Sequence, residues 1–535
     1  MSKQVRTLII AGIGIVVLGA LLAVLLLLPN TTGDSASSSP ASSDPSISLL
    51  DKSKDSEGET VENPVKKVTV NITAVEEEKD EDGEVVTSAR KGEEFEISPN
   101  DEEELVAQLY KDLPVNTSAI SSLTKTLSSV TASKKVADKA ENPADYGLDT
   151  PAATVTVTYH DDTQATFELG DETPFKEGYY VRMSGNEAVY LMSTSFGTTL
   201  LKDSLSYIGT TLYTKPTVNS DDSNGTAILR DMELSGKVRS QKFAFRAITS
   251  EDTDITTYSE YLLTLPYLRP TNADAIGSLA STSASLTANK AVVAYPTAED
   301  LTAYGFDDPY SVAKLNVAVK TTESSGDTSS AASTSSGSEA TESTKYYNVS
   351  AHTVTLGNKD ENGNYYCMVD DIRVIYLVSA TSVPWAETQY DDVADVLLFA
   401  LNIQTVSSVT ITNQGTDTIF KLEHFPDEKD TEKNLKVTVD GKQLNTKQFR
   451  NLYQVMMGIR RTGAMEVEPA GDPEIAIRIT HEGGEDFVAE FFAADANTYT
   501  CRLNTGETYK VSAGKLETLI KQMNNYLEGK EVYVG

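Results

Sequence analysis

The sequence predicts an α+β protein: an N-terminal transmembrane helix followed by three repeated units, each a helix packed on an antiparallel β-sheet. Three observations predict it. A turn motif returns 158 positions later as Tyr304-Gly305-Phe306-Asp307-Asp308-Pro309 after Tyr146-Gly147-Leu148-Asp149-Thr150-Pro151. An Asn-led amphipathic helix pattern occurs three times, and period-two alternation of apolar residues surrounds each copy.

The first element is the apolar run from Leu8 to Leu28, with Lys3 and Arg6 before it and Asp34, Asp44 and Asp51 after it. Its length suffices to cross a bilayer, and the basic flank is expected to stay in the cytoplasm. A cleaved signal peptide is the rival, since Ser35-Ala36-Ser37 offers small residues for cutting. Its apolar core is ordinarily shorter, so a retained anchor is expected. A lipid anchor is excluded by inventory, because the two cysteines are Cys367 and Cys501 and neither follows the run. The expected division is 1–28 as cytoplasmic tip and anchor, 29–60 as a disordered Ser/Pro-rich stalk, and 61–215 as the first unit. Residues 216–395 form the second unit, with a disordered insertion at 321–344, and 396–535 a diverged third.

Each unit opens with an alternating pair, such as Val68-Thr69-Val70-Asn71-Ile72 with Glu94-Phe95-Glu96-Ile97, or Val409-Thr410-Ile411 with Phe420-Lys421-Leu422. A helix follows. Asn116, Asn272 and Asn445 each precede apolar residues at three- and four-residue spacing (Ile120 and Leu123, Ile276 and Leu279, Phe449 and Leu452). That is an N-cap and one buried face, three times.

The turn motif comes next. Thr297 is placed to cap a short helical turn ending at Tyr304, Gly305 to supply a positive φ, and Phe306 to make the hydrophobic contact of a Schellman cap. Asp307 and Pro309 then turn the chain into a strand. Tyr146, Gly147, Leu148, Asp149 and Pro151 fit the same roles, so the motif is read as backbone geometry rather than as a catalytic site. In the third copy it decays to Ala470-Gly471-Asp472-Pro473.

A meander closes each unit: Val155, Val157 and Tyr159 in the first, Leu315, Val317 and Val319 in the second, Ile475, Ile477 and Ile479 in the third. Leu169-Gly170 answers to Leu356-Gly357, Tyr179-Tyr180 to Tyr365-Tyr366, and Tyr190-Leu191 to Tyr376-Leu377. Tyr499-Thr500-Cys501-Arg502-Leu503 matches Tyr179 to Met183, which puts Cys367 and Cys501 in one strand column as small buried side chains. The polar insertion Thr321 to Thr344 stands where the other copies turn at Asp161-Asp162 and Gly483-Gly484, a place where a long loop costs little.

The formal net charge of −34 counts against nucleic acid and against lying flat on an anionic leaflet. The acidic stretch Glu76 to Asp82 and Asp101 to Glu104 lack EF-hand spacing; a hairpin tip and a helix N-terminus account for them. Four histidines, His160, His352, His424 and His481, form no HExxH or Cys/His metal pattern. Keeping the apolar faces in phase aligns Val155 with Ile475 and sets His160 opposite Thr480, so His160 and His481 do not correspond. No P-loop, G-x-S-x-G elbow or S-x-x-K set occurs. No catalytic, cofactor or metal residues are therefore expected.

The Tyr-Gly-Leu/Phe-Asp-x-Pro turn, the Leu-Gly and the strands ending Val189-Tyr190-Leu191 and Ile375-Tyr376-Leu377 resemble the bacterial family named domain of unknown function 4340, over roughly residues 130 to 210 and 290 to 385. The resemblance implies a membrane-anchored extracytoplasmic protein, often encoded beside ABC-type transporter or gliding-type export components, and carries over no catalytic residues. The expectation is a single-pass, non-enzymatic protein of the cell envelope presenting its units to a protein partner. A carbohydrate- or peptide-binding module is the alternative, motivated by 25 Tyr against 1 Trp; an acidic hydrolase built from scattered carboxylates stands third.

Overall fold

Three large antiparallel sheets organise the chain in the computed structural model, which describes residues 46–54, 57–76, 78–79, 85–87, 89–324, 342–464, 469–481 and 486–534. From edge to edge, the first runs Leu105–Ala107, Glu93–Pro99, Val65–Ile72, Ala153–Tyr159, Gln164–Glu172, Gly178–Met183, Val189–Ser193, Lys134–Ala137. The second runs Arg269–Pro270, Tyr261–Leu265, Phe243–Ala247, Thr226–Ser235, Ser311–Ser324, Glu342–Lys359, Tyr365–Val369, Val374–Val378, Lys290–Ala294. The third runs Lys442–Leu444, Leu435–Val439, Thr416–His424, Val406–Asn413, Ile475–His481, Phe487–Ala493, Thr498–Leu503, Thr508–Ser512, Arg461–Ala464. In each, strands before the helix step back to one edge and strands after it step forward to the other. The strand that closes the far edge, beside the last, lies in sequence between the helix and the turn motif: Lys134–Ala137, Lys290–Ala294 and Arg461–Ala464.

The helices Thr117–Ser128, Ala273–Ser283 and Thr446–Met457 start where Asn116, Asn272 and Asn445 accept a hydrogen bond from the backbone N–H of Ala119, Ala275 and Gln448. Each cap satisfies a donor that the first turn leaves open. Ile120, Leu123 and Leu127 bury against the first sheet, Ile276 and Leu279 against the second, Phe449, Leu452 and Met456 against the third. The opposite sheet faces carry Thr154, Thr156, Thr158 and their like, half-buried and polar, as antiparallel sheets with one wet face do.

Register fixes the correspondence between sheets. Leu169 pairs with Ala153 and Val181, Leu356 with Ser311 and Cys367, Phe491 with Ile475 and Cys501. The two cysteines, both free and buried, thus occupy one column with Val181. The expected alignment of Val155 with Ile475 is corrected by two residues, to Ile477. An even slip keeps the same sheet face, so the buried set is unchanged, and His481 falls level with Tyr159 rather than with His160.

Three further expectations are revised. Ile47–Asp51, assigned to the stalk, is a strand paired with Ser129–Ala132, because Leu49 and Leu50 pack on the first core. The insertion is narrower than the expected 321–344 at both ends: Thr321 to Ser324 pair with Glu342 to Lys345 as a continuation of their hairpin, while 325–341 lie outside the described residues. Asp101 to Glu104 form a turn held by the Asn100 carboxamide oxygen, which accepts from the N–H of Glu102 and Glu104 at 2.9 Å, not a helix start. The apolar run 8–28, the turn at 483–484 and most of the 76–82 acidic stretch lie outside the described residues. Among the described residues no helix is long and apolar enough to cross a membrane.

Candidate functional site

The recurring motif folds as a packing device. The helix Ala298–Ala303 begins in a capping box between Thr297 and Asp300 and ends in a Schellman cap, with Phe306 N–H donating to Leu301 O at 2.8 Å and Gly305 N–H to Thr302 O at 3.1 Å. Gly305 has φ +83° and Gly147 φ +64°, left-handed values that glycine adopts without strain. The first copy repeats both bonds, Leu148 to Pro143 and Gly147 to Ala144. Asp307 accepts from the Thr302 hydroxyl at 2.5 Å, Pro151 O accepts from Thr73 Oγ1 at 2.6 Å, and Pro309 O from Lys237 N–H. Tyr304 packs edge-on to Tyr366 at 4.5 Å, and Tyr146 to Tyr180 at 5.1 Å. Asp149 is exposed. These residues hold one another and do not converge on a cavity.

Two buried arginines are likewise committed to structure. Arg239, 8% exposed, donates to the carbonyls of Ser235, Thr388, Trp385 and Ala386 and to Ser311 Oγ. Burial without a contacting carboxylate pushes its pKa down to about 10. Arg269, from the second sheet, meets Glu507 at 3.2 Å and Tyr509 OH at 2.7 Å on the third, and donates to the carbonyls of Asp395 and Leu397. Tyr390 OH completes the junction by donating to Glu507 at 2.8 Å.

The candidate site lies instead on the uncovered face of the second sheet. Bulges at Leu229/Asp231, Ala244/Phe245 and Val317/Val319 interrupt its register and bend the strands, which opens a cleft of about 890 Å³. Alternate positions of neighbouring strands point into it: Asp231 and Glu233, Arg246, Thr264, Lys314 and Asn316, Tyr346 and Thr353. Arg246 grips Asp252 with both terminal nitrogens, at 2.7 and 2.6 Å. Those bonds hold the Asp252 carboxyl down at about 2, against the opposing effect of burial. Asp231 takes Arg230 Nε on one oxygen and Asn316 Nδ2 on the other, each at 2.6 Å. The Arg230 guanidinium lies over the Tyr346 ring at 5.7 Å, and burial raises the pKa of the Tyr346 hydroxyl.

Sequence reasoning missed this cleft. The signal it offered was slight: Arg230-Asp231 and Arg246 interrupt apolar positions such as Leu229, Met232 and Phe245 in a chain short of basic residues. The cleft provides hydrogen-bond donors, acceptors and the Tyr346 ring, with Phe245 and His352 also in its lining. Among the described residues no three His, Cys, Asp or Glu side chains are grouped to hold a metal.

The family model described as Domain of unknown function (DUF4340) matches residues 106–234 and 262–474, together more than half of the chain. The first stretch ends within the bulged strand that forms the cleft, and the second covers its remaining strands except Phe243–Ala247. No curated protein and no solved structure matches the chain significantly.

Proposed function

From the premise that the chain belongs to the DUF4340 family, we propose that it is a non-enzymatic envelope protein: an anchor helix at 8–28, then three copies of one α+β unit held outside the cytoplasm. The copies present uncovered sheet faces to a protein partner. The observation that carries this reading is the common strand order of the three sheets, in each of which the helix covers one face and leaves the other wet. A scaffold of this design offers large polar surface at fixed spacing, which suits recognition better than turnover. Lys3 and Arg6 ahead of the apolar run support an inward N-terminus. An ABC-type transporter or an envelope assembly is the proposed partner, on the family resemblance alone.

The test is cross-linking of intact cells followed by purification of the full-length membrane form and identification of what travels with it. A stoichiometric membrane-complex partner supports the reading. Recovery of the protein alone, or degradation-resistant localisation inside the cytoplasm when protease is added to protoplasts, overturns it.

A further inference from the structure

We propose that the cleft on the second sheet binds an anionic glycan, with Arg230 and Tyr346 contacting its acidic group. The inference goes beyond the presentation role proposed above, by assigning part of one uncovered face a ligand other than the protein partner.

The cleft crosses the middle of the sheet. Thr226–Ser235 is paired on one side with Phe243–Ala247 and on the other with Ser311–Ser324, and Ser311–Ser324 in turn with Glu342–Lys359. Its floor therefore has no free strand edge, and a peptide cannot dock there by adding a strand. Recognition falls to side chains. Of these, Arg246 has both terminal nitrogens engaged by Asp252, and both oxygens of Asp231 are engaged. The remaining donors are then few and specific. Only Nε of Arg230 is bonded, so its two terminal nitrogens face the cleft with no hydrogen bond among the described residues. The Tyr346 hydroxyl beside it is also without a partner among the described residues, as is the Lys314 ammonium.

A guanidinium with its forked end open matches the two oxygens of a carboxylate or phosphate. The guanidinium lies over the Tyr346 ring, 5.7 Å from its centroid, and an aromatic ring beside the fork also suits the faces of sugar rings. Thr264, Thr353 and Asn316 add hydroxyl and amide groups of the kind that pair with sugar hydroxyls. The volume, about 890 Å³, lies in the range of small-ligand clefts and holds a few saccharide rings. In a chain of net charge −34, long-range attraction does not bring an anion here, so the contact must be short-ranged and local.

The experiment is titration calorimetry of the full-length protein in detergent at low salt with four probes: an oligogalacturonate, its methyl ester, a glycerol-phosphate polymer and an acidic peptide. Saturable binding of the oligogalacturonate or the phosphate polymer, with silence from the ester, is expected, and which of the two binds identifies the source of the charge. Arg230→Met should weaken it about 10-fold or more and Tyr346→Phe a few-fold, with unchanged melting temperature and an unchanged set of co-purifying proteins. Equal binding of the methyl ester, binding of the peptide alone, no binding, or full affinity in Arg230→Met each overturns the assignment. Partner capture is read separately, so a failed titration with a retained partner rejects the glycan, while a lost partner with retained titration rejects the presentation role.

Discussion

The carbonyl oxygen of Tyr304 stands 2.1 Å from where a Cβ on Gly357 would lie. The two halves of the recurring motif, far apart in sequence, meet only because residue 357 has no side chain. Tyr304 O also accepts a hydrogen bond from Asn358 N–H at 2.7 Å, and Tyr146 O stands the same 2.1 Å from a Cβ on Gly170.

Gly357→Ala should therefore destabilise the second sheet by about 2–3 kcal/mol, through displacement of a backbone carbonyl rather than of a side chain that can swing away. Gly277, exposed in the helix Ala273–Ser283 with open space around it, is the counterpart: Gly277→Ala should stabilise by about 0.5–1 kcal/mol. Urea unfolding midpoints read both. A neutral Gly357→Ala would mean the motif halves are not in contact.

Asp252 makes a prediction about acid. Its folded pKa, about 2, lies below the value near 3.8 of a free aspartate. The ion pair thus stabilises the fold above pH 4, and that contribution disappears as pH falls from about 4 to 2. Asp252→Asn should cost on the order of 2 kcal/mol at pH 7, and the gap between variant and wild type should close across that window. A gap independent of pH would show that Arg246 is not what holds the carboxylate.

Arg239 reaches the backbone carbonyls around Trp385, the single tryptophan of the chain. Arg239→Lys keeps the charge but loses the planar fork, so buried carbonyls go unpaired, at a cost of about 2–3 kcal/mol. Trp385 is 1% exposed, and its emission should shift to the red in the variant before global unfolding. Unchanged emission and stability would count against the role.

The junction of Arg269 with Glu507 should couple the melting of the second and third sheets. Glu507→Leu leaves a buried guanidinium uncompensated, which costs about 3–5 kcal/mol, whereas adding Arg269→Met should restore part of the loss. Calorimetry would record separate transitions in the single variant. Additive losses in the double variant would rule out direct coupling.

What was legible in the sequence was local. Asn116, Asn272 and Asn445 announce their helices because an N-cap acts within four residues, and Gly305 with Phe306 announces its cap for the same reason. Alternation at Val155, Val157 and Tyr159 gave the buried face, though the relation to Ile475 slipped by two because period-two patterns look the same after every even shift. The cleft was not legible. Arg230, Arg246, Lys314 and Tyr346 come from four strands, and only long-range pairing with three bulges brings them to one face. Arg239 and Arg269 were hidden for a similar reason: the partners of Arg239 are mostly backbone carbonyls, which leave no pattern in residue identity, and the side chains that meet Arg269 lie more than 100 residues away in sequence.

The placement of Lys134–Ala137 beside Val189–Ser193 bears on how the chain is made. This strand emerges from the ribosome before its neighbour exists, and Lys290–Ala294 and Arg461–Ala464 repeat the situation against Val374–Val378 and Thr508–Ser512. Every sheet must wait for its final strand to be synthesised before its far edge is satisfied. A chain cut short anywhere between the two therefore carries an open, half-apolar edge, and quality-control proteases would meet truncated products as sticky intermediates while the finished polypeptide escapes them.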